Sequence, residues 1–169
     1  MAAARPSGSR ASSDDKHCLH VDNTGFATSR RAMLPNLNNP DQRARLGWLL
    51  LRLTLAGLIA AHGWARWWAG GVVPFGGFLD AQGIPAGAAV AWAITALEIV
   101  GSLLLATGRL VAPLAVLFAA IYATGIALVH AKAGWFVVGL GRNGSEYSVL
   151  LIVCLLVVGL QHLGRGPRR

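Results

Sequence analysis

The sequence predicts an all-α membrane protein, a bundle of four transmembrane helices with both termini cytoplasmic. Three observations lead there. Of 169 residues, 54% are hydrophobic and only 13% charged, with a mean hydropathy of +0.53, more apolar surface than a soluble domain of this size can hide. The apolar residues form four runs of membrane-crossing length, at about 46–68, 86–106, 110–129 and 147–163. The basic residues are partitioned by side: seven Lys/Arg precede the first run, Arg109 sits in the middle turn and three follow the last, whereas the longer loops hold Lys132 and Arg142 with Arg66 at their edge. Positive charge marks the cytoplasmic side of a membrane protein, so both ends belong there, and the bacterial inner membrane is the expected location.

Residues 1–45 are rich in Ala, Ser, Asn, Pro and Arg without an apolar period, which reads as a disordered basic tail. Its Asp14–His20 cluster has no second ligand pair at zinc spacing, so no metal site is expected. The twin arginines Arg30-Arg31 are followed by a polar, proline-broken stretch, unlike an export signal. The net charge of +8 lies mainly in the tails, 164–169 included, which argues for contact with membrane lipid and against nucleic acid. Cys18 and Cys154 form no C-x-x-C, so a built-in thiol relay is not expected.

The first span, from Leu46, carries Arg52, His62 and, at its end, Arg66. Charges inside a membrane are costly and mark functional sites. At ~100° per residue Arg52, His62, Gly63 and Arg66 share one stripe, and Gly57 with Ala61 offers a small-residue contact face. Trp64, Trp67 and Trp68 suit the membrane interface. Residues 69–85 are dense in Gly and Pro and read as a loop, with Phe75, Phe78 and Leu79 along the membrane surface. The second span holds Glu98, with Thr95, Gly101 and Ser102 on its face. After the Gly108-Arg109 turn, the third span carries Pro113 near its start and ends at His130. A second loop, 131–146, leads to the last span, with Ser145 as expected N-cap and Glu146 in the first turn.

If Trp68 and Ala86 lie at one level, a rise of ~1.5 Å per residue puts Glu98 about 18 Å deep and Arg52 about 24 Å deep. The expectation is an Arg52–Glu98 ion pair, with His62 unpaired nearer the outside and His130 and Glu146 completing an outward-open polar track. A buried pair that only fixes helix register is the competing reading. A haem held by His62 and His130 fits poorly, because the two differ by about two helical turns in depth. The string Gly139-x-Gly141-x-x-Gly144 matches a dinucleotide fingerprint, but a membrane span follows it and no acidic residue stands at the ribose position, so it reads as a surface turn. Asn143-Gly144-Ser145 is a sequon, relevant only in a eukaryotic secretory setting.

The strings LLLRLTLAGLIAAHGWARWW, GFLDAQGIPAG, ALEIVGSLLLATG, LVHAKAGWFV and GRNGSEYSVLL together resemble the DoxX family of small membrane proteins, over about residues 46–163. His62-Gly63, Glu98 with Gly101, His130 and Glu146-Tyr147 stand at family-typical places, and Arg66 replaces the usual lysine. The resemblance implies a four-helix oxidoreductase-type subunit, in some relatives tied to thiosulfate oxidation with quinone as acceptor and in others to thiol and oxidative stress. The expected function is therefore an integral membrane subunit of a redox complex that binds quinone or a similar small molecule among its helices, with no cofactor encoded by a recognisable motif. His62 or His130 would hydrogen-bond a quinone carbonyl and relay protons, and Glu98 would accept a proton. Arg52, Arg66, Glu146 and Tyr147 would bind, with Tyr122, Trp92 and Tyr147 as ring-packing partners. A non-catalytic anchor for a soluble redox partner protein is the alternative, and a small carrier a third. Oligomeric state stays open, a homo-oligomer included.

Overall fold

The computed structural model describes residues 38–138 and 143–163, and every regular element among them is helical. The tail motifs of residues 1–37, the glycine-rich positions 139–142 and the basic end from 164 lie outside the described residues. Helix α1 runs Pro40–Trp68, α2 Val72–Ala81, α3 Gly87–Thr107, α4 Val111–Ala133 and α5 Glu146–His162. Three of them, α1, α3 and α4, are long and apolar enough to cross a membrane. α5 is also apolar but has 17 residues, about 25 Å of helix.

Two boundaries differ from expectation. α1 begins at Pro40 rather than Leu46, because Asn39 caps it: its side-chain oxygen accepts from the amides of Asp41 (2.9 Å) and Gln42 (3.4 Å), and proline fits the first turn. Residues 69–85 are not simply a loop, since they contain α2. Phe75, Phe78 and Leu79 recur at helical spacing, and the glycine between them is a packing residue. A Cβ on Gly76 would lie 2.8 Å from Ala88 Cα, so glycine permits α2 to lie directly on the start of α3. Asp80 completes the corner by accepting from the Gly87 amide at 2.7 Å, capping α3 from the preceding helix.

The helices pack as two close pairs, α1 with α3 and α4 with α5, with fewer contacts between the pairs. Gly63 sets the first pair: a Cβ there would meet Glu98 Cβ and Ile99 Cγ1, both at 2.9 Å. The anticipated Gly57 face has nothing within 4 Å and is exposed. Thr95, Glu98, Gly101 and Ser102 are buried together, as their shared face predicts. At one end the pairs share an apolar core, with Ile59, Leu105, Phe118 and Leu155 fully enclosed. A smaller cluster joins α2 and α3 through Val72, Leu79 and Ala91. Leu50, Leu53, Val100, Leu103, Val116, Leu150 and Val153 point outward, an apolar belt of the kind lipid covers.

Candidate functional site

Between the two helix pairs, at the end where they separate, lies a cavity of about 530 Å³. α1 contributes His62 and Arg66, α3 Glu98, α4 Tyr122 and His130, and α5 Tyr147. The apolar wall comes from Phe75, Phe78 and Ile84 around α2 and from Ile121, Leu128 and Val129 on α4. Phe75, Phe78 and Ile84 belong to the 69–85 stretch expected to be a loop, with the two phenylalanines along the membrane surface. It turns inward instead because α2 folds back on α3. The helical spacing of the two phenylalanines was the available signal, masked by four neighbouring glycines.

Glu98 is 2% exposed, and its partner is Arg66, not Arg52. The Arg66 guanidinium donates to Glu98 Oε2 at 2.6 Å and to Thr95 Oγ1 at 3.3 Å, and it stacks over the Phe75 ring at 4.5 Å. Thr95 passes the chain of donors on by giving its own proton to the Ala91 carbonyl at 2.7 Å. The expected pairing failed because Trp68 and Ala86 are not at one level. Gly63 lies against Glu98, and α1 and α3 are antiparallel, so Trp68 stands opposite about residue 93. Ala86 is seven residues further along α3, ~10 Å beyond the end of α1. The same register carries Arg52 to the opposite end of the bundle, where its Nη1 lies 2.8 Å from the position a Cβ on Gly108 would take. That is ten residues past Glu98, ~15 Å away along α3. Arg52 bonds His162 there and takes no part in the cavity.

His62 is not without a partner. Its Nδ1 lies 2.9 Å from the Leu58 carbonyl, which can only accept, so Nδ1 carries a proton and the neutral ring presents Nε2 as a lone pair. Its ring and the Tyr122 ring lie nearly perpendicular, 6.2 Å apart between centroids. The Tyr122 hydroxyl is buried and has no hydrogen-bond partner among the described residues. His130 repeats the pattern at 2.6 Å from the Asn143 carbonyl. It ends a π-helical turn, Ile126–His130, that widens α4 where it borders the cavity. Tyr122 and His130 are eight residues apart, so ~12 Å separates their levels along α4.

Three other expectations are corrected. Glu146 does not line the cavity. Its Oε1 accepts from the Val137 amide at 3.0 Å and ties the 134–138 segment to the start of α5. Ser145 makes no side-chain cap, and its hydroxyl is turned to the Gly134 carbonyl at 3.4 Å. Trp92 is 52% exposed and lies with Trp64 and Trp67 on the outer face of α1 and α3, away from the cavity.

Taken together, the site is an apolar chamber with one neutralised ion pair, one unpartnered hydroxyl donor and histidine lone pairs at two depths. No curated protein and no solved structure matches the chain. A family model does: the DoxX model matches residues 47–131, which covers most of α1, all of α2 and α3, and α4 to Ala131. This is a membrane protein with helices long and apolar enough to span, and it belongs to the DoxX family.

Proposed function

We propose that the chain is a membrane subunit of a redox complex and that its cavity takes a quinone or a similar small, uncharged ring compound. One observation carries this: in a mainly apolar cavity, a buried tyrosine hydroxyl has no acceptor among the described residues, and the ring of a histidine that offers a lone pair lies 6.2 Å from the tyrosine ring. An unpartnered buried donor is rare enough to ask for a ligand acceptor. A quinone supplies a carbonyl acceptor in one redox state and a hydroxyl donor in the other. Tyr122 donates to the carbonyl form, and His62 Nε2 accepts the hydroxyl proton when the ligand is oxidised. This reverses the role expected of His62, since its protonated nitrogen is already engaged by Leu58.

Glu98 serves chiefly by electrostatics. Its charge holds Arg66 over Phe75 and keeps the guanidinium from standing alone in an apolar wall. His130, ~12 Å along α4 from Tyr122, lies on the way a proton would take outward. Electrons pass to or from a soluble partner protein, which the family's redox-linked members lead us to expect. The accompanying topology is four spans with α5 tilted little, both termini cytoplasmic, in the bacterial inner membrane.

Binding of a short-chain quinone analogue to the purified protein in detergent tests the proposal. His62→Ala and Tyr122→Phe should each weaken binding about tenfold, the worth of one hydrogen bond in a dry site. Glu98→Gln should weaken it as well. Equal binding by all three variants and the parent overturns the proposal. A stoichiometric partner that co-purifies equally with the parent and Glu98→Gln would favour the anchor reading instead.

A further inference from the structure

At the other end of the bundle, Arg52 presents a problem that the cavity does not explain. Its only hydrogen bond among the described residues is to His162, from Nη1 to Nε2 at 3.2 Å. His162 is itself turned by its Nδ1, 2.9 Å from the Val158 carbonyl, so Nε2 is an uncharged acceptor. Among the described residues the guanidinium is therefore half-buried without a carboxylate, and its buried Nε has no hydrogen-bond partner. A buried cation without a counter-charge is among the costlier arrangements in a protein.

A second cavity of about 470 Å³ opens at this place, with Asp41, Arg45, Trp48, Leu49, Arg52 and His162 among the residues that line it. Positions 45, 48, 49 and 52 follow helical spacing, so one face of α1 presents two arginines with an indole between them. Asp41 shares the cavity but stands eleven residues from Arg52, ~16 Å along the helix, and four from Arg45. It can temper Arg45 and leaves Arg52 uncompensated.

The geometry points to an anion site at this seam of α1 and α5, built for a phosphate group, with Arg52 as its buried anchor and Arg45 as its outer clamp. Planar guanidinium groups with several fixed donors suit phosphate oxygens better than any other side chain. Trp48 beside them suits the headgroup level of a membrane. The register places Arg52 beside the α3–α4 turn at Gly108, at the end of the spanning helices, where lipid phosphates lie. The phosphate can come from an anionic phospholipid or from solution. The site is independent of any ligand in the first cavity.

The test titrates the purified full chain in neutral detergent with short-chain phosphatidylglycerol, with short-chain phosphatidylcholine and with inorganic phosphate, following thermal stability and binding. Phosphatidylglycerol should bind and raise the unfolding temperature, and Arg52→Gln or Arg45→Gln should weaken it about tenfold, the loss of a charge-assisted bond. Arg45 is exposed, so its variant remains informative if Arg52→Gln does not fold. Arg43→Gln, an exposed arginine outside the cavity, should bind as the parent does. Response to inorganic phosphate as well as lipid identifies a general phosphate site, and response to phosphatidylglycerol alone identifies a lipid site. Failure of both phosphatidylglycerol and inorganic phosphate to bind, phosphatidylglycerol binding no tighter than phosphatidylcholine in the absence of a phosphate response, or equal weakening by Arg43→Gln and Arg45→Gln, overturns the inference.

Discussion

Which arginine neutralises Glu98 can be measured. In a double-mutant cycle, Glu98→Gln is combined first with Arg66→Gln and then with Arg52→Gln. The Arg66 and Glu98 groups are hydrogen-bonded at 2.6 Å. Taking ~4 Å between charge centres and an effective dielectric of about 20, their attraction is about 4 kcal/mol. Arg52 lies ~15 Å away by helix rise, and the same dielectric leaves about 1 kcal/mol before screening. Desolvation and relaxation reduce both figures, so the Arg66 cycle should return a coupling of about 2 kcal/mol and the Arg52 cycle less than about 0.5. The single variant Arg66→Gln should also be the more damaging, because it strands Glu98 as a buried, unpaired charge. Reversible unfolding in mixed micelles supplies the four stabilities for each cycle. A larger coupling for Arg52, or equal couplings, would refute the register that places Gly63 against Glu98.

The remaining predictions concern the elements that build the cavity. Gly63→Leu should destabilise the chain by about 1–3 kcal/mol, because its side chain has no room between Glu98 and Ile99, whereas Gly57→Leu should stay within about 0.5 kcal/mol; thermal melts in detergent compare the two. Asp80→Ala should cost about 0.5–2 kcal/mol through loss of the α3 cap and should speed proteolysis at the α2–α3 corner. Glu146→Gln should leave quinone-analogue affinity within about twofold of the parent while raising amide exchange at Val137, since its carboxylate holds that amide and not the cavity. An affinity loss as large as that of His62→Ala would put Glu146 back in the site.

Much of the candidate cavity lining is legible in the sequence, though not how its polar groups pair. His62, Glu98, His130, Arg66 and Tyr147 do surround one cavity, because polar residues in apolar helices have nowhere inexpensive to go except toward each other. The pairing is not legible for a definite reason: depth counted from the helix ends misleads, because those ends are offset by about 10 Å, with α2 lying on α3 through Gly76 and Gly87. His162, a histidine at the end of an apolar run, carries no sequence signal of its own. Only contact with Arg52 gives it a role.

By itself the sequence determined the class of the protein: helices in a membrane, polar residues on defined faces and the DoxX family signature. The first two follow from hydropathy and the 3.6-residue period, which are local and additive along the chain, whereas the family signature rests on particular residue strings. Tertiary structure alone decided that Arg66 neutralises Glu98, that Arg52 stands at the other end beside His162, and that α2 supplies part of the cavity wall. Each of these depends on the sliding register between antiparallel helices, which glycine contacts such as Gly63 against Glu98 set at single points. A helix period carries no information about that register, so it appears only when the surfaces meet.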